Sequence, residues 1–518
     1  MRYYGTTLSH TVVLTDVLAR GLARYPDATA LVTNDGCWTW RELDAVTDRY
    51  AANLLASGLE PGDRVASFMP NSGALFIHYL GAIKAGMVIV ALNYRYTAHE
   101  VDHALTVSGA RMMVYDAERA GVVMASTAAQ RLEMRFVRGG DAQNAAPVEA
   151  LMADTPPTPF APRDADQPVV IFFTSGSTGP AKGVTHSYAT FGAVLASTAA
   201  GQNLSHADRV MGAASCSHMG AFLLWLAAFS EGAMFMAPRV GEIEAQLEMM
   251  RAHKPTVVMM LPAALFALER DGHVRQKDFA ACRMVMSGGD KVPDQLEQEF
   301  ILKTGLPIDE IYGLTEIGIS HSNPSSGLVK LGTVGRLMPG FMAEVRDEDG
   351  RVLPPGREGR LWVKAPSVML YYWDQPDATA EVIDADGWFD TGDLMKADEE
   401  GYLTFCGRQK QIIIHDGSNI FPQEVEDSLL AHEAVNQVGV VGIADTVHGE
   451  NVRAYVELKA GREAPAVEDL IHFAQERVGY KAPEDVVYLK AMPLNPTGKV
   501  DRVMLKRLAA LSADSTVE

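Results

Sequence analysis

The sequence is poor in cysteine, in basic charge and in long apolar runs, and each shortage excludes something. Only four cysteines, Cys37, Cys216, Cys282 and Cys406, occur in 518 residues, far apart and without metal-ligand spacing. They read as free thiols in a reducing compartment rather than a disulfide framework. Lys and Arg together number 45 against 65 Asp and Glu, a formal charge of −20. Nucleic acid and anionic membranes are bound through clustered cations, so neither is expected as a standing partner. The N-terminal segment MRYYGTTLSHTVVLTDVLARG has no apolar core of a signal peptide, because Val12–Leu14 runs straight into Thr15 and Asp16. The longest apolar stretch, around Ala221–Phe229, is too short to span a bilayer and reads as a buried helix or strand. A cytoplasmic protein with no integral membrane segment is expected. Internal repeats and low-complexity tracts are also missing.

The remaining composition is that of an ordinary globular chain, 47% hydrophobic and 21% charged. Its length suits about three domain-sized units. Helical and strand patterns alternate, which predicts an α/β architecture with parallel sheets. Residues Arg41–Leu59 put Leu43, Val46, Tyr50, Leu54 and Leu55 on one helical face, and Pro61-Gly62 then turns the chain into a short strand. The pattern returns as a helix from Glu244 and a strand over Thr256–Leu261. Residues Gly140–Gln167, rich in Ala, Pro and Asp, read as a loop between lobes. Glu344–Lys364 has the short alternating runs and turns of a small antiparallel β unit. A compact α/β tail of roughly a hundred residues follows, with a helix after Pro422, strands near Val438–Ile443 and Val452–Leu458, and a helix over Val467–Val478. The expected division is a large multi-lobed α/β domain with a small β unit over 1–409, and a small mobile α+β domain over 410–518.

After the apolar run Val169–Phe173 comes TSGSTGPAKGV, Thr174–Val184. A Walker loop needs lysine directly after glycine and a hydroxyl after the lysine, but Lys182 lies between Ala181 and Gly183. Gly176, Gly179 and Gly183 do not give the dinucleotide spacing either. What remains is a flexible loop whose N–H groups and hydroxyls can wrap a polyphosphate, with Lys182 as a point charge. A solvent-exposed turn explains the glycines, but not four hydroxyls and a lysine among them.

The loop resembles the phosphate-binding signature of the acyl-adenylate-forming (ANL) superfamily, with Ala181 where proline is usual. That superfamily comprises acyl-CoA synthetases, peptide-synthetase adenylation domains and firefly luciferase. The resemblance covers nearly the whole chain in the family's order, through YGLTE (Tyr312–Glu316), DGWFDTGDL (Asp386–Leu394), GRQKQIII and PLNPTGKVDR. GAIKAGMVIVALNYR (Gly81–Arg95), GTVGRLMPG (Gly332–Gly340) and NIFPQEVE (Asn419–Glu426) agree with it. It implies that Thr174, Ser175, Gly176, Ser177, Thr178, Gly179 and Lys182 bind the phosphates of ATP. Tyr312 would stack on adenine, Thr315 would reach the α-phosphate and Glu316 would hold Mg²⁺, a cation suited to oxygen ligands and water. Asp393 would accept from both ribose hydroxyls, as an acceptor-only carboxylate can, with Arg408 a second ribose or phosphate ligand. Lys410 sits at the family's interdomain hinge, and Lys499 at the lysine that reaches across to the reacting carboxylate and α-phosphate.

By the same resemblance the reaction has two halves. A carboxylate attacks the α-phosphorus of ATP to give an acyl adenylate and pyrophosphate. The small domain then swings about Lys410, and a thiol displaces AMP. Coenzyme A is the expected thiol because the chain runs only nineteen residues past Lys499 with no fused carrier domain. A free-standing carrier protein also fits, and a homodimer is left open. ASCSHMGAFLLWLAAF puts His218 and Met219 where the family gates its acyl tunnel, and VMSGGD adds Gly288 and Gly289. An apolar acid is implied, although His218 also reads as a satisfied core histidine.

Two positions depart from the family pattern. Gln411 stands where an acidic residue is common, and Asp416 stands where glycine is common in the loop lining the thiol channel. They raise the alternative of a half-reaction enzyme that accepts a preformed adenylate. A non-catalytic acid- or nucleotide-binding relative is disfavoured by the retention of Lys499, Glu316 and Asp393. A light-emitting oxidase on the same scaffold is the less common outcome.

Overall fold

Two large twisted sheets share a packed layer of helices, and two smaller β units flank their strand ends. The structure is a computed structural model. It describes the chain except residues 141–143, 157–159, 161–162, 175–179, 271–273, 290–291, 293, 325–328, 416–417, 446–447, 497 and 515–518.

The first sheet has eight strands. Pro168–Thr174, Val88–Ala91, Arg64–Phe68, Met112–Asp116 and Met134–Arg138 run parallel, with Lys182–Ser187 antiparallel beside Pro168–Thr174. The second has nine. Its parallel centre is Thr29–Thr33, Met234–Ala237, Arg209–Gly212, Val257–Met259, Met284–Gly288 and Ile308–Leu314. These strands read as continuous apolar runs because both faces are covered.

The helices between the sheets explain why some lack an amphipathic pattern. Every residue of Gly73–Ala85 is buried, and Met219–Ser230 is buried at all but its second and last positions. A helix enclosed on all sides is apolar all round, which answers the helix-or-strand question for Ala221–Phe229. Phe76, Phe222, Trp225 and Phe229 pack edge to face within this layer, at centroid distances of 4.7–5.7 Å. Trp40–Ala56 is amphipathic and begins with a capping box. The Thr39 hydroxyl accepts from the Glu42 amide, and the Glu42 carboxylate accepts from the Thr39 amide. Such a cap is worth about 1 kcal/mol. The buried Lys84 at the end of Gly73–Ala85 is offset by Asp44 and Asp48, at 2.7 and 2.6 Å.

The expected small β unit is present and larger than Glu344–Lys364. Met342–Arg346, Glu358–Lys364, Phe389–Ala397 and Leu403–Arg408 form an antiparallel sheet, with Arg2–Tyr4 on its edge. The stretch expected as a loop, Gly140–Gln167, carries a short strand Ala146–Pro147 that pairs with Met134–Arg138. Two consecutive ladder positions are too short to show in a pattern. The C-terminal unit has its own core around Val435–Asp445 and Gly449–Leu458, with Asp485–Leu489 parallel to the latter and helices Pro422–Leu430 and Val467–Val478. The four cysteines are free thiols. Among the described residues no helix is long and apolar enough to cross a membrane.

Candidate active site

The site-forming residues lie where strand ends of both large sheets meet the flanking β unit. Open α/β sheets keep their crevices at such strand ends, because the loops there are free to vary while the sheet stays rigid.

Tyr312 is carried by Ile308–Leu314, and Asp393 by Phe389–Ala397. The Tyr312 hydroxyl donates to Asp393 Oδ2 at 2.7 Å. Arg408, cross-strand partner of Asp393, brings its Nε to 3.1 Å from Asp393 Oδ1. Asp393 is only 1% exposed. Burial raises its pKa from the ordinary carboxylate value, against the lowering pull of Arg408, Tyr312 and Lys499. Burial, with the Asp393 charge second, pushes the Tyr312 phenol well above its usual value, so it donates and does not ionise.

The turn after Tyr312 is fixed from two sides. The Thr315 carbonyl accepts from His186 Nε2 at 2.8 Å, and that ring is held neutral because burial lowers its pKa to about 4. The Glu316 carbonyl accepts from the Met369 amide at 2.7 Å. The Glu316 carboxylate accepts from the Tyr372 hydroxyl at 2.8 Å. Its pKa is raised by burial, and the Tyr372 bond works the other way.

Lys182 and Thr174 face each other where the phosphate-loop candidate leaves and rejoins the sheet. Lys182 Nζ lies 4.7 Å from the centroid of the Tyr372 ring. Thus one tyrosine touches both the loop lysine and the Glu316 carboxylate. Ser175, Gly176, Ser177, Thr178 and Gly179 lie outside the described residues.

Two of the other expected residues, Gly289 and His218, lie near Lys499. An ideal Cβ on Gly289 would lie 3.9 Å from Lys499 Cε and 3.9 Å from Leu261 Cδ2. Gly289 has φ +89°, where glycine is favoured. The neighbouring Gly288 is close to Ile311, whose Cγ1 would lie 2.5 Å from an added Cβ. His218 precedes the helix Met219–Ser230. Its pKa falls to about 4 through burial first, then through the charges of Lys499 and Arg95. Met219 is buried in the main core. Lys410 lies in the single 3₁₀ turn Gln409–Gln411 between the β unit and the C-terminal unit. Gln411 closes that turn, and Asp416 lies outside the described residues.

Sequence reasoning missed Tyr372, Asn93 and Arg95. The last two stand at the end of Gly81–Arg95, a stretch the family resemblance matched without giving any single residue a role. Tyr372 gave no signal, since LYYW reads as core and its partners are far away in the chain.

A buried carboxylate held by a tyrosine and an arginine, a half-buried carboxyl and two lysines from different domains can bind a polyanion and neutralise charge developing on it. Among the described residues no group of three His, Cys, Asp or Glu side chains could hold a metal ion alone.

Comparison with known proteins identifies the family. A sequence model described as AMP-binding enzyme matches residues 18–373, and one described as AMP-binding enzyme C-terminal domain matches residues 424–499. A feruloyl-CoA synthase from Amycolatopsis sp. is 32% identical over 491 residues, covering 93% of this chain and 96% of that protein. A fatty acid–[acyl-carrier-protein] ligase, ScoC, from Streptomyces coeruleorubidus is 32% identical, covering 93% of each. Among solved structures, ATP-bound MatB from Rhodopseudomonas palustris superposes with a TM-score of 0.87 at 28% identity, covering 95% of this chain and 98% of that one.

Proposed function

This chain belongs to the AMP-binding enzyme family and is an AMP-forming acid–CoA ligase, and from that premise we propose how its own residues divide the reaction. In the first half-reaction the carboxylate oxygen of an apolar acid bonds to the α-phosphorus of ATP, and the bond to pyrophosphate breaks. In the second, the thiol sulfur of coenzyme A bonds to the acyl carbon, AMP leaves with the bonding electrons, and the thiol proton passes to solvent.

The observation that carries the assignment is the arrival of Lys499, from the C-terminal unit, beside Gly289 and His218 of the large domain. There it orients the two reacting anions and offsets their repulsion, which is positioning and charge neutralisation rather than proton transfer. Lys182 and the 174–179 loop take the leaving pyrophosphate. Tyr312 stacks on adenine, Thr315 reaches the α-phosphate, and Asp393 with Arg408 takes the ribose hydroxyls. His218, Met219, Gly288 and Gly289 border the acyl pocket, and a neutral His218 suits an apolar acid there.

Mg²⁺ fits the donors at hand. The cation is bound by one or two carboxylates together with substrate phosphates and water, and Glu316 supplies a carboxylate held by Tyr372 beside Lys182. When bound, the metal would neutralise phosphate charge. Glu316 would hold it, with the Tyr372 hydroxyl keeping Glu316 oriented.

The test is incubation with Mg²⁺, coenzyme A and a pool of apolar carboxylic acids, with ATP or with synthetic acyl adenylates in place of acid and ATP. Mass spectrometry reads the acyl-CoA. The expected result is product in both arms, with Lys499→Ala losing the ATP arm alone. Product from adenylates only would overturn the complete ligase and point to Gln411 and Asp416. A third arm with acyl carrier protein tests the other thiol, supported by the likeness to the acyl-carrier-protein ligase ScoC.

A further inference from the structure

The loop that carries Lys499 is held to the large domain by a contact of its own. Asn93 follows the strand Val88–Ala91 and is 2% exposed. Its Nδ2 donates to the carbonyl of Pro496 at 2.8 Å. Its Oδ1 accepts from the Arg95 amide at 3.0 Å, and its own carbonyl accepts from the Tyr96 amide at 2.9 Å. The large domain therefore fixes the Asn93 backbone and its Oδ1, and Nδ2 is the end that meets the C-terminal unit.

On the other side, Pro496 belongs to a tight turn. The Asn495 amide donates to the Lys499 carbonyl at 2.7 Å, and the Gly498 amide to the Asn495 carbonyl at 2.8 Å. The Lys499 amide donates to Asn495 Oδ1 at 3.0 Å. Leu494 and Val500 bridge across its base, and Gly498 has φ +86°. Proline has no N–H, so Pro496 itself offers its surroundings only a backbone carbonyl. Because two hydrogen bonds tie Lys499 to Asn495, next to Pro496, holding that carbonyl constrains where Lys499 enters the site.

We propose that Asn93 is a positioning residue for the first half-reaction, an interdomain latch that captures the Pro496 carbonyl and so sets Lys499 beside Gly289. This rests on the assignment of Lys499 to adenylate formation. Asn93 touches none of the reacting atoms and acts through the lysine loop. A contact made in one domain arrangement and broken in the other biases that equilibrium by its own free energy. The latch therefore favours the adenylate-forming arrangement and plays no part once the C-terminal unit has turned away for the thiol step.

The experiment uses the full chain and measures the two half-reactions separately. Adenylate formation is followed by pyrophosphate exchange, and thioester formation from a synthetic acyl adenylate and coenzyme A. Asn93→Asp keeps the acceptor for the Arg95 amide but turns a carboxylate oxygen toward the Pro496 carbonyl. We expect about a tenfold fall in adenylate formation, the size of a lost and repelled hydrogen bond, with thioester formation changed less than about twofold. Asn93→Ala, which only removes the bond, falls by less. The thioester rate doubles as the folding control. Equal losses in both halves would mean a merely structural residue and overturn the latch, and so would no loss in either. Lys499→Ala is run alongside. If it makes adenylate at the wild-type rate, the assignment of Lys499 fails and the latch fails with it. If it is inactive while Asn93→Asp is unimpaired, the latch alone is wrong.

Discussion

At the scale of single residues, this site is governed by which buried oxygens keep a charge. Glu316 carries opposing influences, burial raising its pKa and the Tyr372 hydroxyl lowering it. Tyr372→Phe keeps the ring under Lys182 and removes only the hydroxyl. The Glu316 pKa then rises further, so the acid limb of the pH–rate profile for adenylate formation should move to higher pH. The Mg²⁺ concentration for half-maximal rate should also rise at slightly acid pH. An unchanged acid limb would show that Glu316 does not need that bond. Asp309, in the same strand as Tyr312, shows the same opposition with a larger shift. It is 4% exposed and receives hydrogen bonds from Ser322 Oγ, the Asn323 amide and Asn323 Nδ2, yet burial lifts its pKa from 3.8 to about 6. A carboxyl raised on folding stabilises most below its unfolded pKa, and that contribution is lost as pH rises through the folded value. Between pH 4 and 7 the protein should lose up to about 3 kcal/mol through this group, taking 1.36 kcal/mol per pKa unit. Denaturant melts of Asp309→Asn across that window should show a flatter dependence than wild type.

At the scale of elements, the strands Met284–Gly288 and Ile308–Leu314 approach so closely at the site that only glycine fits. An added Cβ on Gly288 would meet Ile311 Cγ1 at 2.5 Å and the Ile311 carbonyl oxygen at 2.8 Å. The side chain could rotate away, but a carbonyl in the sheet could not. Gly288→Ala should therefore destabilise by about 1–3 kcal/mol, the usual cost of overpacking. Ile311→Ala in the same chain should recover less than half of that loss in thermal melts. Full recovery would show that the side chain, not the backbone, sets the fit. This closeness also shows where the sequence was informative. Trp40–Ala56 follows its amphipathic spacing and the turns around it, and Val467–Val478 has the bounds its pattern predicts. Those features depend on neighbours in the chain. Met219–Ser230 was ambiguous because enclosure removes periodicity. The edge strand Arg2–Tyr4 gave no signal because its partner, Met342–Arg346, lies more than three hundred residues away. The site divides in the same way. Motif residues such as Tyr312, Asp393 and Lys182 were legible through the family pattern. Tyr372 and Asn93 act by contacts across 56 and 403 positions, which no local pattern encodes.

At the scale of the whole molecule, one histidine can report which way the C-terminal unit faces. His218 belongs to the large domain and Lys499 to the small one, yet the lysine charge contributes to holding the His218 pKa down at about 4. Burial is the larger cause and Arg95 another, and both stay with the large domain. Removing the lysine charge, by Lys499→Ala or by the rotation proposed for the thiol step, should thus raise the His218 pKa without returning it to the ordinary 6.5. The shift has a definite sign because like charges disfavour the protonated ring. Histidine-labelled protein followed by NMR over pH 3–7, with the signal assigned by its loss in His218→Gln, measures it directly. The pKa should be lowest with the unaltered lysine in the adenylate-forming arrangement and higher in Lys499→Ala. If coenzyme A added to the adenylate-bound protein draws the unit away, the wild-type pKa should move toward the Lys499→Ala value while the variant stays where it is. Identical values in wild type and variant would mean that Lys499 does not approach His218 in solution, and would remove the electrostatic support for its arrival beside Gly289.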